Sequence, residues 1–318
     1  MLGSALLSAC GHTAETPRGA GVGGAAQPDG GDGGASASST AGTGGAAAPD
    51  PCAACVAGAP LAELTDPAIL EASGIVASLS LPGVYYIHND SGDTARFFAV
   101  GSDGVTLATF DLAGVTAVDV EDIARGPCPQ GTCLFLADIG DNGLSRANIV
   151  VHRVVEPDPA GGDRALTAEA LEIAYPDGAH NAEALLVDPS SGALLIVTKV
   201  SAGPSQIFTS MGPVEPGAPQ TLTLVGELSP LGGSPRVTGG DVHPQRRGIL
   251  LRTYTDVLFY PVAASQPLGE ALRGAPCILP QVDEPQGEAV GWTADGLGYV
   301  TVSEGFMPPI QSFDCAGR

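Results

Sequence analysis

Five times along this 318-residue chain, an apolar strand opens with a small or acidic residue at the same place relative to its first large aliphatic side chain. The segments are Ser73-Gly74-Ile75, Glu121-Asp122-Ile123, Glu183-Ala184-Leu185, Gly240-Asp241-Val242 and Glu288-Ala289-Val290. They recur every 48 to 62 residues, and each is followed by a second, strongly apolar strand. Strand-rich units repeated at such a period are the sequence signature of a radial β architecture. The pattern predicts an all-β fold, a five-bladed β-propeller over residues 52–318. Six blades is the runner-up, reached by splitting the long second or third unit. A pair of β-sandwiches would not produce such regular spacing.

Turn chemistry divides each unit. In the first, Leu-Pro-Gly, Ser-Gly-Asp and Ser-Asp-Gly separate strands at 74–78, 84–89, 96–100 and 106–112. The second unit takes 133–139 and 149–155 as its next strands and 166–175 as its outer one, with a helical turn at Leu171–Ile173 as an alternative. The last unit has three strands and then the chain stops. Val56–Leu64 is predicted to supply the fourth from the other end of the chain, closing the ring and removing a free sheet edge.

In a propeller the first strand of each blade lines the central channel, so the three glutamates and an aspartate should converge near one axis. Antiparallel connectivity also brings the ends of the second strands to that face. They read His88-Asn89-Asp90-Ser91-Gly92-Asp93, Asp138-Ile139-Gly140-Asp141-Asn142, Thr198-Lys199, Arg252-Thr253-Tyr254 and Ser303-Glu304. Hard oxygen ligands around an axis suit Ca²⁺, which accepts six to eight oxygens in flexible geometry. The metal candidates are Glu121, Glu183 and Glu288, then Asp241 and the Ser73 hydroxyl. The competing reading is that each acid accepts backbone or arginine hydrogen bonds and stitches the blades. The two Asp-x-Gly-Asp loops are likewise either ligands or Asx-type turns. Lys199 and Arg252 are the only cations expected at this mouth, where they would attract phosphate or carboxylate, with His88 or His180 as a candidate general base. The chain has no G-x-S-x-G elbow, no H-E-x-x-H and no Walker loop.

Charge narrows the partners. Thirty-five acidic residues against 13 basic ones give a formal charge of −22, which argues against nucleic-acid binding through a basic surface. Lys199 is the one lysine of the chain. Either it is retained for a task that arginine cannot perform, or it survives by chance in a composition rich in Arg, Ala, Gly and Pro.

The amino terminus reads as an address. Leu7-Ser8-Ala9-Cys10 resembles a lipobox, whose cysteine takes a diacylglycerol, although residues 1–10 lack the basic n-region of a full signal. An incidental cysteine after small residues is the alternative. Residues 11–51 are Gly, Ala, Ser, Thr and Pro with almost nothing large to bury, a composition expected to be disordered. A tether of that length spans about 35 Å r.m.s.. The expected location is therefore the cell envelope, with the lipid as the one membrane contact. Removing Cys10 leaves six cysteines, an even number that fits export. Cys128 and Cys133 flank a turn and are predicted to bridge a hairpin. Cys52, Cys55, Cys277 and Cys315 could pin the closure through two further bridges whose pairing the sequence leaves open. A zinc site from those four is weaker, since C-x-x-C occurs once.

Taken together, EASGIVAS, GVYYIHNDSGD, VDVEDIARG, LFLADIGDN, HNAEALLVDP, VTGGDVHP and GEAVGW resemble exported bacterial β-propeller proteins of unassigned activity, over residues 71–304. More remotely, one inward acid per blade is similar to phytase-like and gluconolactonase-like propellers and to calcium-activated nucleotidases. The nucleotidase resemblance implies a central calcium on Ser73, Glu121, Glu183 and Glu288, with Gly240 as the departure in blade four and Asp241 or Thr238 as its substitute. The expected function is a monomeric binding module that takes a small anionic ligand or a protein at the channel mouth. The alternative is a calcium-dependent hydrolase of phosphoesters or lactones at the same place.

Overall fold

The computed structural model describes residues 49–228 and 233–316. The lipobox at Cys10 and nearly all of the 11–51 segment lie outside the described residues. Five sheets follow one another along the chain. Blade one comprises Ala72–Ala77, Val84–Asn89, Arg96–Gly101 and Thr106–Leu112. Blade two comprises Val120–Cys128, Gly131–Asp138, Ile149–Val155 and Glu169–Ala174. Blade three holds Ala182–Val187, Ala193–Thr198, Ser205–Pro213 and Thr223–Leu228, and blade four Val237–Val242, Gly248–Thr253, Val257–Pro261 and Cys277–Leu279. Blade five has Gly287–Trp292, Gly298–Ser303 and Pro309–Asp314, completed by Val56–Ala57 and Ala62–Glu63, both antiparallel to Pro309–Asp314. The first strands touch in cyclic order, blade five returning to blade one. The fold is a five-bladed β-propeller.

Five apolar cores hold the ring, one in each space between neighbouring blades. Tyr86, Phe97 and Phe110 of blade one meet Ile123, Leu134 and Leu136 of blade two. Leu250 and Phe259 of blade four meet Trp292, Tyr299 and Phe313 of blade five. Every inner strand is buried along its whole length between two such cores, or nearly so, which explains the continuous apolar runs of the sequence.

The closure is also covalent. Cys52 is bonded to Cys277 of blade four and Cys55 to Cys315 at the end of blade five, while Cys128–Cys133 spans the predicted hairpin. Three disulfides fit an oxidising compartment outside the cytoplasm. Among the described residues, no helix is long and apolar enough to cross a membrane. A helical turn, Pro51–Ala54, capped by the Asp50 carboxylate, precedes Cys55. Pro49, Asp50 and Pro51 sit beside His243, Gly296 and Leu297, in the turns that end the inner strands of blades four and five.

One expectation fails. The predicted outer strand at 166–175 is split. Glu169–Ala174 completes blade two, but Arg164–Leu166 pairs in parallel with Thr106–Leu112 of blade one. Gln220–Thr221 does the same for blade two, pairing in parallel with Glu169–Ala174. The connection before each outer strand thus loops back to cover the exposed edge of the preceding blade. The helical alternative at Leu171–Ile173 is not realised, because the alternating burial of Glu169–Ala174 is that of a strand.

Candidate functional site

One irregularity, repeated in all five blades, builds the site. The ladder between first and second strands shifts register between Ala72 and Gly74, Val120 and Asp122, Ala182 and Ala184, Val237 and Gly239, and Gly287 and Ala289. The extra residue of each β-bulge is Ser73, Glu121, Glu183, Thr238 or Glu288. A bulge leaves its residue unpaired and re-aims its side chain, and here the five equivalent positions surround one axis. The true blade-four counterpart is therefore Thr238. The repeat read from sequence as Gly240-Asp241-Val242 is displaced by two residues.

The hydroxyls in this ring face the wall. Ser73 Oγ donates to the Glu121 carbonyl at 2.7 Å, and Thr238 Oγ1 to those of Gly287 and Glu288 at 3.2 and 3.1 Å. Each ties its blade to the next. The glutamates behave differently. Glu183 is ion-paired with Lys199, whose Nζ also stands 4.9 Å over the Tyr254 ring. Burial raises the Glu121 carboxyl far above the carboxylate range, and Glu183, Asp90 and Asp119 raise it further. Burial likewise lifts Glu183 despite Lys199. Glu288 is pushed up to about 7 by burial, against the opposing Gln286 hydrogen bond and the Lys199 charge. Burial alone would lower the Lys199 ammonium, but the Glu183 carboxylate outweighs it and raises it above the usual lysine range.

Two further acids lean over Glu121. Oxygens of Asp90, Asp119 and Glu121 all lie within 4.8 Å of one another, the one such group of three among the described residues. Gly140 makes room for them: a Cβ there would fall 2.2 Å from Glu121 Oε1 and 2.3 Å from Asp119 Oδ2. Burial and the Asp90 charge raise Asp119. These acids differ from their loop neighbours. Asp93 accepts from Asn89, Thr94 and Arg96, while Asp141 accepts from the amides of Ser145 and Arg146. Asp138 accepts from the amides of Val118 and Asp119 and from Arg146. Asp93 and Asp141 thus shape their own turns, Asp138 ties the end of its strand to the approach to Val120–Cys128, and Asp90, which accepts from the Ser91 amide, joins the cluster.

Below the ring the axis is filled. Asp122 accepts from its own neighbour Ile123 (2.8 Å), from Leu185 of blade three (2.9 Å) and from Gly240 of blade four (3.2 Å). Arg125 of blade two donates to Ala77 O of blade one and stands 3.7 Å from Asp241 of blade four. Side chains that cross between non-adjacent blades close the channel, so the mouth is a cup.

The predicted site residues separate accordingly. Glu121, Glu183, Glu288 and Lys199 are brought together. Asp241 is not: it lies three residues deeper than Thr238, and its carboxylate accepts from the Trp292 amide at 2.8 Å and faces Arg125. His88 and Arg252 do not line the mouth either. Both occupy the second-strand position opposite the residue after the bulge, facing Gly74 and Gly239. His88 is wholly buried, with Nδ1 donating to Asn89 O and Nε2 filling the space beside Gly74, and burial lowers its basicity. Arg252 is buried against Gly287 and bonded to Glu284 at 2.6 Å and Gln281 at 3.2 Å. His180 is at the rim, held by Asp177 at 2.8 Å and packed on Tyr175 and Phe208. Lys199 and Arg252 are not the only cations of this face, since Arg146 and Arg236 also lie there. The sequence assigns Asp119 no ligand role, and it offers Asp90 only within its Asp-x-Gly-Asp loop, as a ligand or a turn-former. Their signal was weak: one stands two residues before an inner glutamate, the other just past a second strand.

No family model and no curated protein matches the chain. Among solved structures it is similar to a gluconolactonase from Xanthomonas campestris, with 10% sequence identity and a TM-score of 0.45, covering 80% of this chain and 88% of that one.

Proposed function

We propose that the protein is an exported binding module whose acidic cup takes a divalent cation, and with it a small anionic ligand. The observation that carries this reading is the Asp90–Asp119–Glu121 cluster over Gly140. Buried and half-buried carboxyls that repel one another are stabilised by a cation, and an all-oxygen donor set suits Ca²⁺. Asp90, Asp119 and Glu121 would hold the ion, and Lys199 gives a ligand anion a positive neighbour on the Glu183 side. Calcium should raise the midpoint of thermal unfolding by mass action, about 2.7 kcal/mol at one hundred times the Kd. Asp119→Asn should remove most of that rise. A wild-type midpoint indifferent to both calcium and chelator would overturn the reading.

One observation favours a hydrolytic role for the same cup. Glu288, pushed up to about 7, is poised to transfer protons at neutral pH. Phosphoester or lactone hydrolysis lost in Glu288→Gln, with calcium binding intact, would establish it. Lipidation at Cys10 is the anchor we infer from the lipobox and the disulfides. Cys10→Ala should release the protein from the membrane fraction.

A further inference from the structure

Beside the cup, a cleft of about 730 Å³ opens among the loops of blades two, three and four. Its charge is the reverse of the cup's. Lys199, Arg236 and His180 face it and no aspartate or glutamate lines it, in a chain with 35 acids and 13 basic residues. Tyr254 lies between the two long cations, with Lys199 Nζ 4.9 Å and Arg236 Cζ 5.8 Å from its ring. Lys199 has its counter-ion in Glu183, and His180 has Asp177. Arg236 enters no ion pair among the described residues. An exposed guanidinium steadied on an aromatic face offers a planar fork of donors to a carboxylate or a phosphate.

The uncharged lining is polar. Asn181 Oδ1 accepts from the Asp141 amide at 2.7 Å, and its Nδ2 donates to Asn142 Oδ1 at 3.3 Å. The Asn142 side-chain N–H donors have no protein partner among the described residues. The Gln206 backbone is pinned by Thr198 Oγ1 at 2.8 Å, and its side-chain amide has no protein partner among the described residues. Amides arranged in this way suit hydroxyl groups.

We propose that this cleft seats the anionic group, carboxylate or phosphate, of a small hydroxylated ligand. Arg236 holds the charge, Tyr254 is the platform, and Asn142 and Gln206 bond the hydroxyls. The proposal deepens the binding reading above by assigning the ligand class, and Lys199 makes the cleft and the cup adjacent. Its residues are separate from the carboxylate cluster, so the two fail separately.

The test is calorimetric titration of the full-length protein with glycerol 3-phosphate, glycerate and uncharged glycerol, each with calcium and with chelator. At least one anion should bind and glycerol should not. Arg236→Gln should weaken anion binding by about tenfold or more, the loss of a charge-assisted hydrogen bond. Wild type should bind the anion in chelator as well as in calcium, so an absent calcium response would overturn the ion reading and leave the cleft standing. No binding of either anion to wild type, equal binding of glycerol, or an Arg236→Gln protein that binds like wild type would overturn the proposal.

Discussion

The channel has two depths, and acids at the two depths do opposite things. In the floor, Asp122 takes three amide donors from three blades, and Asp241 faces Arg125 while accepting from Trp292. In the cup, Asp90, Asp119, Glu121, Glu183 and Glu288 have one lysine among them. Both sets are carboxylates on or beside inner strands, so residue type and strand position do not separate them. Partner count does. A buried acid with its bonds filled is a structural staple. A cluster with more charge than partners is held together by the fold at a cost, and that marks a site.

The largest effect should come from the floor. Arg125→Met leaves Asp241 buried without its cation, and denaturant unfolding should show a loss of about 3–5 kcal/mol. A change within experimental error would mean that the floor is not held by this pair. Next comes Gly140→Ala, whose Cβ lands among the cluster oxygens. The calcium-dependent rise in thermal midpoint should disappear while the metal-free protein stays folded. A retained calcium response would place the ion elsewhere in the cup.

The pH dependence follows from Glu288, raised from 4.5 to about 7, and from Glu121 and Glu183, raised in the same direction. Between those values the folded protein holds protons that the unfolded chain has released. Stability should therefore be fully present below about 4.5 and fall as pH rises through about 7. Calcium should flatten that slope, and a midpoint rising over this range in chelator would contradict the account. The smallest effect tests the sign. Glu121→Gln should stabilise the metal-free protein at pH 8 by ~1 kcal/mol, because folding no longer forces a carboxyl ionised in the unfolded chain to take up a proton, whereas Asp122→Ala should destabilise it. Two adjacent residues with opposite signs would be the sharpest form of the contrast.

Much of the architecture was legible because a propeller repeats its signals. Gly-, Pro- and Asp-rich turns and apolar runs gave the blades, and a missing fourth strand pointed to Val56–Leu64. What remained hidden was set by register. Bulges at Ser73, Glu121, Glu183, Thr238 and Glu288 carry no composition of their own, so the sequence pattern falls on Gly240 in blade four and leaves Asp241 and Thr238 as equal substitutes, between which the register selects Thr238. A one-residue change of phase turns a side chain from one face to the other. That is also why His88 and Arg252, polar groups at strand ends, proved to be packed between blades. The parallel additions at Arg164–Leu166 and Gln220–Thr221 are three and two residues long. They are too short for periodicity to announce.

The way the chain enters the ring has a directional consequence. Pro49–Pro51 lie by the turns that end the inner strands, whereas the carboxylate cup lies where those strands begin. The chain therefore joins the ring at its rear face, opposite the acidic hollow and the neighbouring basic cleft, and a ligand can reach either one without passing the point of entry.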